Sequence, residues 1–177
     1  MWKLLNGFFA HQSRFVAPQA HVLFWHDRMH EDAVIKAFEE HGWRHTTPYP
    51  AIWTKGNAGT PGDYKRGFRH CYEQAHLFSL GDRRIIKLVP DHFAAPVEAE
   101  TKMHLSQKSV PMLKHFLSAL CDEHTRFLDP TCGSGSSIAA ANLLLVDYAL
   151  GIELDEDNAM IAQFFVQRRL QEDGADG

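Results

Sequence analysis

Phe127-Leu128-Asp129-Pro130-Thr131-Cys132-Gly133-Ser134-Gly135 reads as a short apolar strand that ends in an acid, followed by a turn of small residues that opens a helix. Gly133 and Gly135 let the backbone approach a ligand closely, and the N-terminus of the following helix offers free N–H groups. About eighteen residues beyond Gly135, Gly151-Ile152-Glu153 puts a second acid at the end of a second strand. In a doubly wound sheet both acids lie at the carboxyl edge, where ligands bind, and Glu153 is placed to accept hydrogen bonds from ribose hydroxyls. Together these residues describe a nucleoside-cofactor site. The G-x-G-x-x-G spacing of a dinucleotide fingerprint is absent, which makes NAD the weaker choice.

Outward from this stretch the chain alternates strand-like and helix-like runs, the pattern of an α/β layer fold. Downstream, an almost wholly apolar helix is expected from Gly135 to Leu145, a strand from Tyr148 to Leu154 and an amphipathic helix from Asp157 to Leu170. That β-α-β-α order implies parallel strands joined by a crossover helix. Upstream, Leu113, Phe116, Leu117 and Leu120 fall at i, i+3, i+4 and i+7 and predict a helix over Ser109–Cys121. Further back, His21–His26 reads as a buried strand. Val34, Ala37, Phe38 and His41 mark a helix from about Met29, stopped by Gly42. The run TTPYPAIWTK is broken by Pro48 and Pro50, so pairing is expected only from Ala51. Residues 56–67 form a glycine-rich loop, Cys71–Ser79 and Arg84–Val89 are candidate strands, and Pro90–Glu100 reads as a linker.

With 177 residues, 45% hydrophobic and 23% charged, the chain has the makeup of one soluble globular domain. No run of eighteen apolar residues exists, and MWKLLNGFFAHQSRF is interrupted by Asn6, His11 and Gln12; neither a membrane span nor a signal peptide is read, and a cytoplasmic protein is expected. Cys71, Cys121 and Cys132 are odd in number and widely spaced, as reduced thiols are. The 12 histidines show no ligand spacing, so no metal is expected. Net charge is −4, yet Lys55–Lys87 carries seven basic and three acidic residues and is locally positive. Such a surface suits phosphate contacts and equally suits an ordinary solvated loop.

The D-P-T-C-G-S-G string resembles motif I (D-P-F-x-G-S-G) of the amino-methyltransferases that act on adenine N6 or cytosine N4 of DNA. His104-Leu-Ser-Gln-Lys-Ser-Val-Pro111 resembles the same family's motif X (H-P-T-Q-K-P), which lies upstream of motif I in the permuted β class, as it does here. The resemblance implies an α/β, Rossmann-like three-layer methyltransferase sheet with circularly permuted motif order. It implies S-adenosyl-L-methionine as cofactor, with His104, Ser106, Gln107 and Lys108 near its methionine end, Asp129 near its amino group and Glu153 on its ribose, and with Pro130, Thr131, Cys132, Gly133, Ser134 and Gly135 forming the loop around it. Leu105 and Ser109 stand where the family usually has proline, and Cys132 fills a variable slot. On this reading residues 1–177 are one methyltransferase domain: 1–89 hold the middle motifs, 90–103 a linker and 104–177 the cofactor half. Double-stranded DNA is the implied partner, contacted through a loop at 56–69 by Lys55, Lys65, Arg66 and Arg69, in a restriction-modification system or as a solitary methylase.

Enzymes of this family carry a D-P-P-Y/F-type tetrapeptide, which permutation places before the first strand, and none occurs here. Thr47-Pro48-Tyr49 is the nearest string, but it has no acid or amide to grip an exocyclic amine. The expectation is therefore an incomplete sheet lacking its central catalytic strand. The chain would be the C-terminal part of a longer or split enzyme, with an upstream or separate polypeptide supplying the catalytic motif. A catalytically silent module binding S-adenosylmethionine or DNA, or an amino-methyltransferase for RNA or protein, are the alternatives. Trp25 and Trp53 are read as packing residues rather than base-stacking groups.

Overall fold

The computed structural model describes residues 1–56, 67–95 and 107–175. In chain order the elements are α1 (Trp2–His11), β1 (Ala20–His26), α2 (Glu31–Glu40), β2 (Arg44–His45), β3 (Ala51–Thr54), β4 (Tyr72–Leu80), β5 (His92–Ala94), α3 (Val110–Leu117), β6 (Arg126–Asp129), α4 (Ser136–Asn142), β7 (Tyr148–Gly151) and α5 (Glu156–Ala175). They divide into two compact units, Met1–Ile52 with Glu73–Arg84, and Trp53–Tyr72 with Ile85–Gly177.

In the first unit β4 pairs antiparallel with β1, from Ala20↔Leu80 to His26↔Gln74, and antiparallel with β2 through Arg44↔Ser79 and His45↔Phe78. Asp27 starts the following helical segment, its carboxylate accepting the Met29 N–H at 2.8 Å. Val34 and Phe38, one turn apart on α2, are buried with Leu5 and Phe9 of α1 and with Trp43 and Phe78. The Phe38 and Phe78 rings stack at 4.0 Å. Gly42, at φ +85°, closes α2. Its N–H donates to the Glu39 carbonyl at 3.1 Å, and the Trp43 N–H reaches back to the Phe38 carbonyl at 3.0 Å. This turn swings the Trp43 indole against the Phe38 ring at 6.0 Å, where its N–H donates to Gln12 Oε1 at 2.6 Å. A buried tryptophan thereby keeps its polar atom satisfied.

In the second unit β6 and β7 pair in parallel, Arg126↔Tyr148 through Asp129↔Gly151, which is the expected crossover unit. Helix α4, rich in alanine, packs on both strands, and α3 and α5 pack on α4. Small side chains there allow close approach: Ala139, Ala140 and Ala141 are fully buried. All four apolar residues that predict α3 are buried, Leu113, Phe116 and Leu117 within it and Leu120 just beyond. No helix of the described residues is long and apolar enough to cross a membrane.

Several boundaries differ from the sequence reading. Arg84–Val89 is not a strand: the Ile86 N–H donates to the Ala119 carbonyl at 2.7 Å, and Ile85, Ile86 and Leu88 are exposed. The stretch read as a linker contains β5, whose following Ala95 N–H donates to the Thr54 carbonyl of β3 at 3.1 Å. Strand β7 ends at Gly151 rather than Leu154, because the chain turns there into the loop that carries Glu153. Helix α4 is shorter than its apolar run, ending in turns that lead to Leu145 at φ +57°.

Candidate functional site

The loop between β6 and α4 is held by the two acids that the sequence singles out. Asp129, at the end of β6, accepts the Thr131 N–H on Oδ1 at 2.9 Å, which closes a tight turn. Its Oδ2 accepts the Ser137 hydroxyl from the first turn of α4. Glu153 lies just past β7 and accepts the Gly133 N–H on Oε2 at 2.9 Å and the Asp155 N–H on Oε1 at 3.0 Å. The backbone adds two more ties across the gap, Ile152 N–H to the Asp129 carbonyl at 2.9 Å and Cys132 N–H to the Ile152 carbonyl at 3.0 Å. An ionised carboxylate has about four acceptor positions. The two backbone donors on Glu153 therefore leave capacity for a ligand's hydroxyls.

Three glycines divide the work of this loop. Gly133, at φ +52°, is in the left-handed region, and a Cβ built there meets no atom of the described residues within 4 Å. Gly135, at φ +80°, is buried: a Cβ would lie 3.0 Å from Val166 Cγ2 and 3.2 Å from the Ala162 carbonyl oxygen of α5. The first is suited to admit a ligand and the second to seat the loop on α5. Gly151 is a position that sequence reasoning left without a role. A Cβ there would come within 2.7 Å of Cys132 Sγ and 2.9 Å of Ile138 Cγ1. Burial, with the Asp129 and Glu153 carboxylates adding to it, raises the Cys132 thiol above its ordinary pKa.

The expected site residues are distributed as follows. Asp129, Pro130, Thr131, Cys132, Gly133, Ser134, Gly135 and Glu153 fall in one cluster; Ser134 is buried there and hydrogen-bonded to Ser136 at 3.3 Å. Gln107 and Lys108 are half-buried immediately ahead of α3, the helix that packs on α4. His104 and Ser106 lie outside the described residues, as do Lys65 and Arg66. Lys55 lies over the Trp53 ring at 5.1 Å, and that ring is buried with its N–H donated to the Ala95 carbonyl at 3.0 Å. Trp53 is thus a packing residue. Ser137, which braces Asp129, was not read from sequence; a serine in the first turn of a helix that follows a strand-end acid is the signal that could have found it. Among the described residues no group of three or more potential ligands is placed to hold a metal ion.

No protein-family model and no curated protein matches the chain. Solved structures do match it. The crystal structure of the M1.HpyAVI-SAM complex superposes with a TM-score of 0.79 at 17% identity, over 92% of this chain and 82% of that one. TTHA0409 from Thermus thermophilus, which bears the name of a DNA modification methylase and is complexed with S-adenosyl-L-methionine, gives 0.65 at 18% identity over 94% of this chain and 78% of its own. The PvuII cytosine-N4-specific DNA methyltransferase gives 0.61 at 12% identity, with coverage of 94% and 78%. The chain has the α/β fold shared by these proteins.

Proposed function

We propose that this chain is the cofactor-binding part of a DNA amino-methyltransferase, which moves a methyl group from S-adenosylmethionine to the N6 amine of adenine or the N4 amine of cytosine. The observation that carries the reading is the bridge from Glu153 to the Gly133 N–H, with spare acceptor capacity on the acid and no atom of the described residues within 4 Å of a Cβ on the glycine. Both features suit a ribose lying along the loop. The resemblance of the Asp129–Gly135 string to motif I and the shared fold point the same way.

The cofactor would supply an electrophilic methyl group on sulfur. Glu153 would hold the ribose hydroxyls, Asp129 the amino group, and Gln107 and Lys108, with His104 and Ser106, the methionine end. The target amine is a poor nucleophile. Its hydrogens need carbonyl and carboxylate or amide acceptors while an aromatic ring stacks on the flipped base. No D-P-P-Y-type tetrapeptide occurs in these 177 residues, so in this reading an upstream or separate polypeptide of a longer or split enzyme supplies those groups. Lys55, Lys65, Arg66 and Arg69 would contact DNA phosphates. The enzyme would work in the cytoplasm, in a restriction system or alone.

Calorimetric titration of the purified chain with S-adenosylmethionine tests the first half of the reading. Micromolar binding that competes with S-adenosylhomocysteine is expected; no binding at millimolar cofactor rejects it. Transfer of labelled methyl from the cofactor to duplex DNA, after co-expression with the native flanking genes, tests the second half. Binding without transfer under those conditions favours the silent cofactor-binding module, which the missing tetrapeptide supports. Transfer to RNA or protein but not to duplex DNA would place the chain with amino-methyltransferases of another substrate.

A further inference from the structure

In the first unit, the sheet face against which Phe38 packs carries Phe24 and His26 on β1, Gln74, His76 and Phe78 on β4, and His45 on β2. The His26 and His76 rings stack at 5.1 Å, and His45 meets His76 edge-on at 4.8 Å. His76 is fully buried, whereas His45 is part-exposed. Glu31, in the first turn of α2, closes the group. Its Oε2 accepts the Gln74 amide at 3.0 Å and the Arg28 guanidinium at 3.3 Å, and its Oε1 lies 3.6 Å from His76 Nε2. A buried ring nitrogen normally finds a hydrogen-bond partner. His26 Nε2 and His76 Nε2 are buried and have none among the described residues.

Charge decides which of these nitrogens carry protons at neutral pH. A carboxylate at 3.6 Å favours an N–H over a lone pair on His76 Nε2. His76 Nδ1 is then the acceptor of the 2.8 Å bond to His45, and the His45 Nε2–H is its donor. That leaves His45 Nδ1 as a lone pair. His26 stands outside this chain of donors, because its Nδ1 faces the Asp27 carbonyl at 3.0 Å and holds that ring's proton. A proton arriving at His45 Nδ1 either stays on that ring or sends the Nε2 proton across the 2.8 Å bond, breaking one N–H and forming another on His76 Nδ1. In both cases His45 Nδ1 has become an N–H, and the positive charge is drawn toward Glu31. A second proton would set two cations on rings 4.8 Å apart, a like-charge pair that the fold resists. Burial opposes protonation of both rings. On His76 the His45 and His26 charges act with it and Glu31 against it, while on His45 Glu39 and Glu31 act against it.

We propose that Glu31, His76 and His45 form a proton relay that takes up one proton as a unit and thereby turns His45 Nδ1 from a hydrogen-bond acceptor into a donor. The result is a pH-sensitive switch where β2 pairs with β4, and it stands independently of the cofactor reading. The carboxylate makes the first proton tolerable inside the folded chain, and like charge excludes the second.

Magnetic resonance of the full chain with isotope-labelled histidine nitrogens, titrated from about pH 8 to about 3.5 with circular dichroism following the fold, provides the test. At neutral pH both His45 and His76 should be in the Nε2–H form. On acidification the nitrogens of the two rings should shift together, with midpoints agreeing within about half a pH unit. Glu31→Gln should lower that shared midpoint, because the carboxylate favours the charged form of both rings. If this variant does not fold, the tautomers and the common midpoint of the native chain decide alone. His76 in the Nδ1–H form, or His45 titrating to completion while the His76 nitrogens stay still, overturns the proposal. So does loss of the fold before either ring takes up a proton, or an unmoved midpoint in folded Glu31→Gln.

Discussion

Glu153 and Gly133, twenty positions apart, are joined by a 2.9 Å hydrogen bond from the glycine N–H to the carboxylate. The acid that would bind a ribose also braces the loop against which the rest of the ligand would lie. Binding and loop shape therefore depend on one side chain.

Glu153→Ala should lower affinity for S-adenosylmethionine by about tenfold or more, since a hydrogen bond to a charged group contributes roughly 1.5–3 kcal/mol. Calorimetric titration of both proteins measures it. A change under about twofold would remove Glu153 from the site.

Alanine at Gly133 and at Gly135 should separate binding from stability. Both positions carry a left-handed backbone, which costs an alanine about 1 kcal/mol. Gly135→Ala also drives a methyl against Val166 and the Ala162 carbonyl, adding about 1–3 kcal/mol of overpacking visible in urea unfolding. Gly133→Ala meets no atom of the described residues within 4 Å, so its larger effect is expected in cofactor titration. Equal stability losses would argue against the division.

Stability should fall as pH drops from about 6.5 toward 4. Burial, helped by the neighbouring His45 and His26 and opposed by Glu31, pushes the His76 pKa down to about 4. Its ring takes a 2.8 Å hydrogen bond with His45 and leaves Nε2 without a hydrogen-bond partner. The unfolded chain binds a proton at the ordinary pKa while the folded chain resists it. The contribution is thus whole above that value and declines through the window by up to about 1.4 kcal/mol per pH unit. His45 and His21, also lowered chiefly by burial, add in the same direction. Urea midpoints across this range should show the slope, and His76→Phe should flatten it; an unchanged slope in the variant assigns the acid sensitivity elsewhere.

Phe38→Ala should cost the first unit about 3–5 kcal/mol. The ring stacks on Phe78, meets Phe9 edge-on at 5.0 Å and packs against Trp43 at the end of α2. Denaturant unfolding followed by tryptophan fluorescence checks it, and a loss under about 1 kcal/mol would show that the cluster re-packs.

The sequence was most legible where local chemistry and periodicity agreed. The Asp129–Gly135 string combines a strand end, an acid and two glycines at positive φ, and Asp129 finds its partners Thr131 and Ser137 within eight positions. Helices α2 and α3 declared themselves through spacing, and the buried Val34, Phe38, Leu113 and Phe116 follow it. Strands β2 and β5 are too short to show alternation and exist through partners far along the chain, Phe78 for His45 and the β3 strand for His92–Ala94. Arg84–Val89 misled for the opposite reason, a strand-like composition with no ladder to join. Ser137 and Gly151 escaped because their roles arise only when β7 and α4 come together around Asp129 and Cys132.

The 2.7 Å approach between Cys132 Sγ and a Cβ at position 151 makes these sites a linked pair. Among descendants of this chain, a side chain at 151 becomes tolerable only after position 132 has shrunk and Ile138, 2.9 Å from the same Cβ, has given way as well. The order of the changes is then constrained, and drift in the sequence should run through positions 132 and 138 before 151 is released.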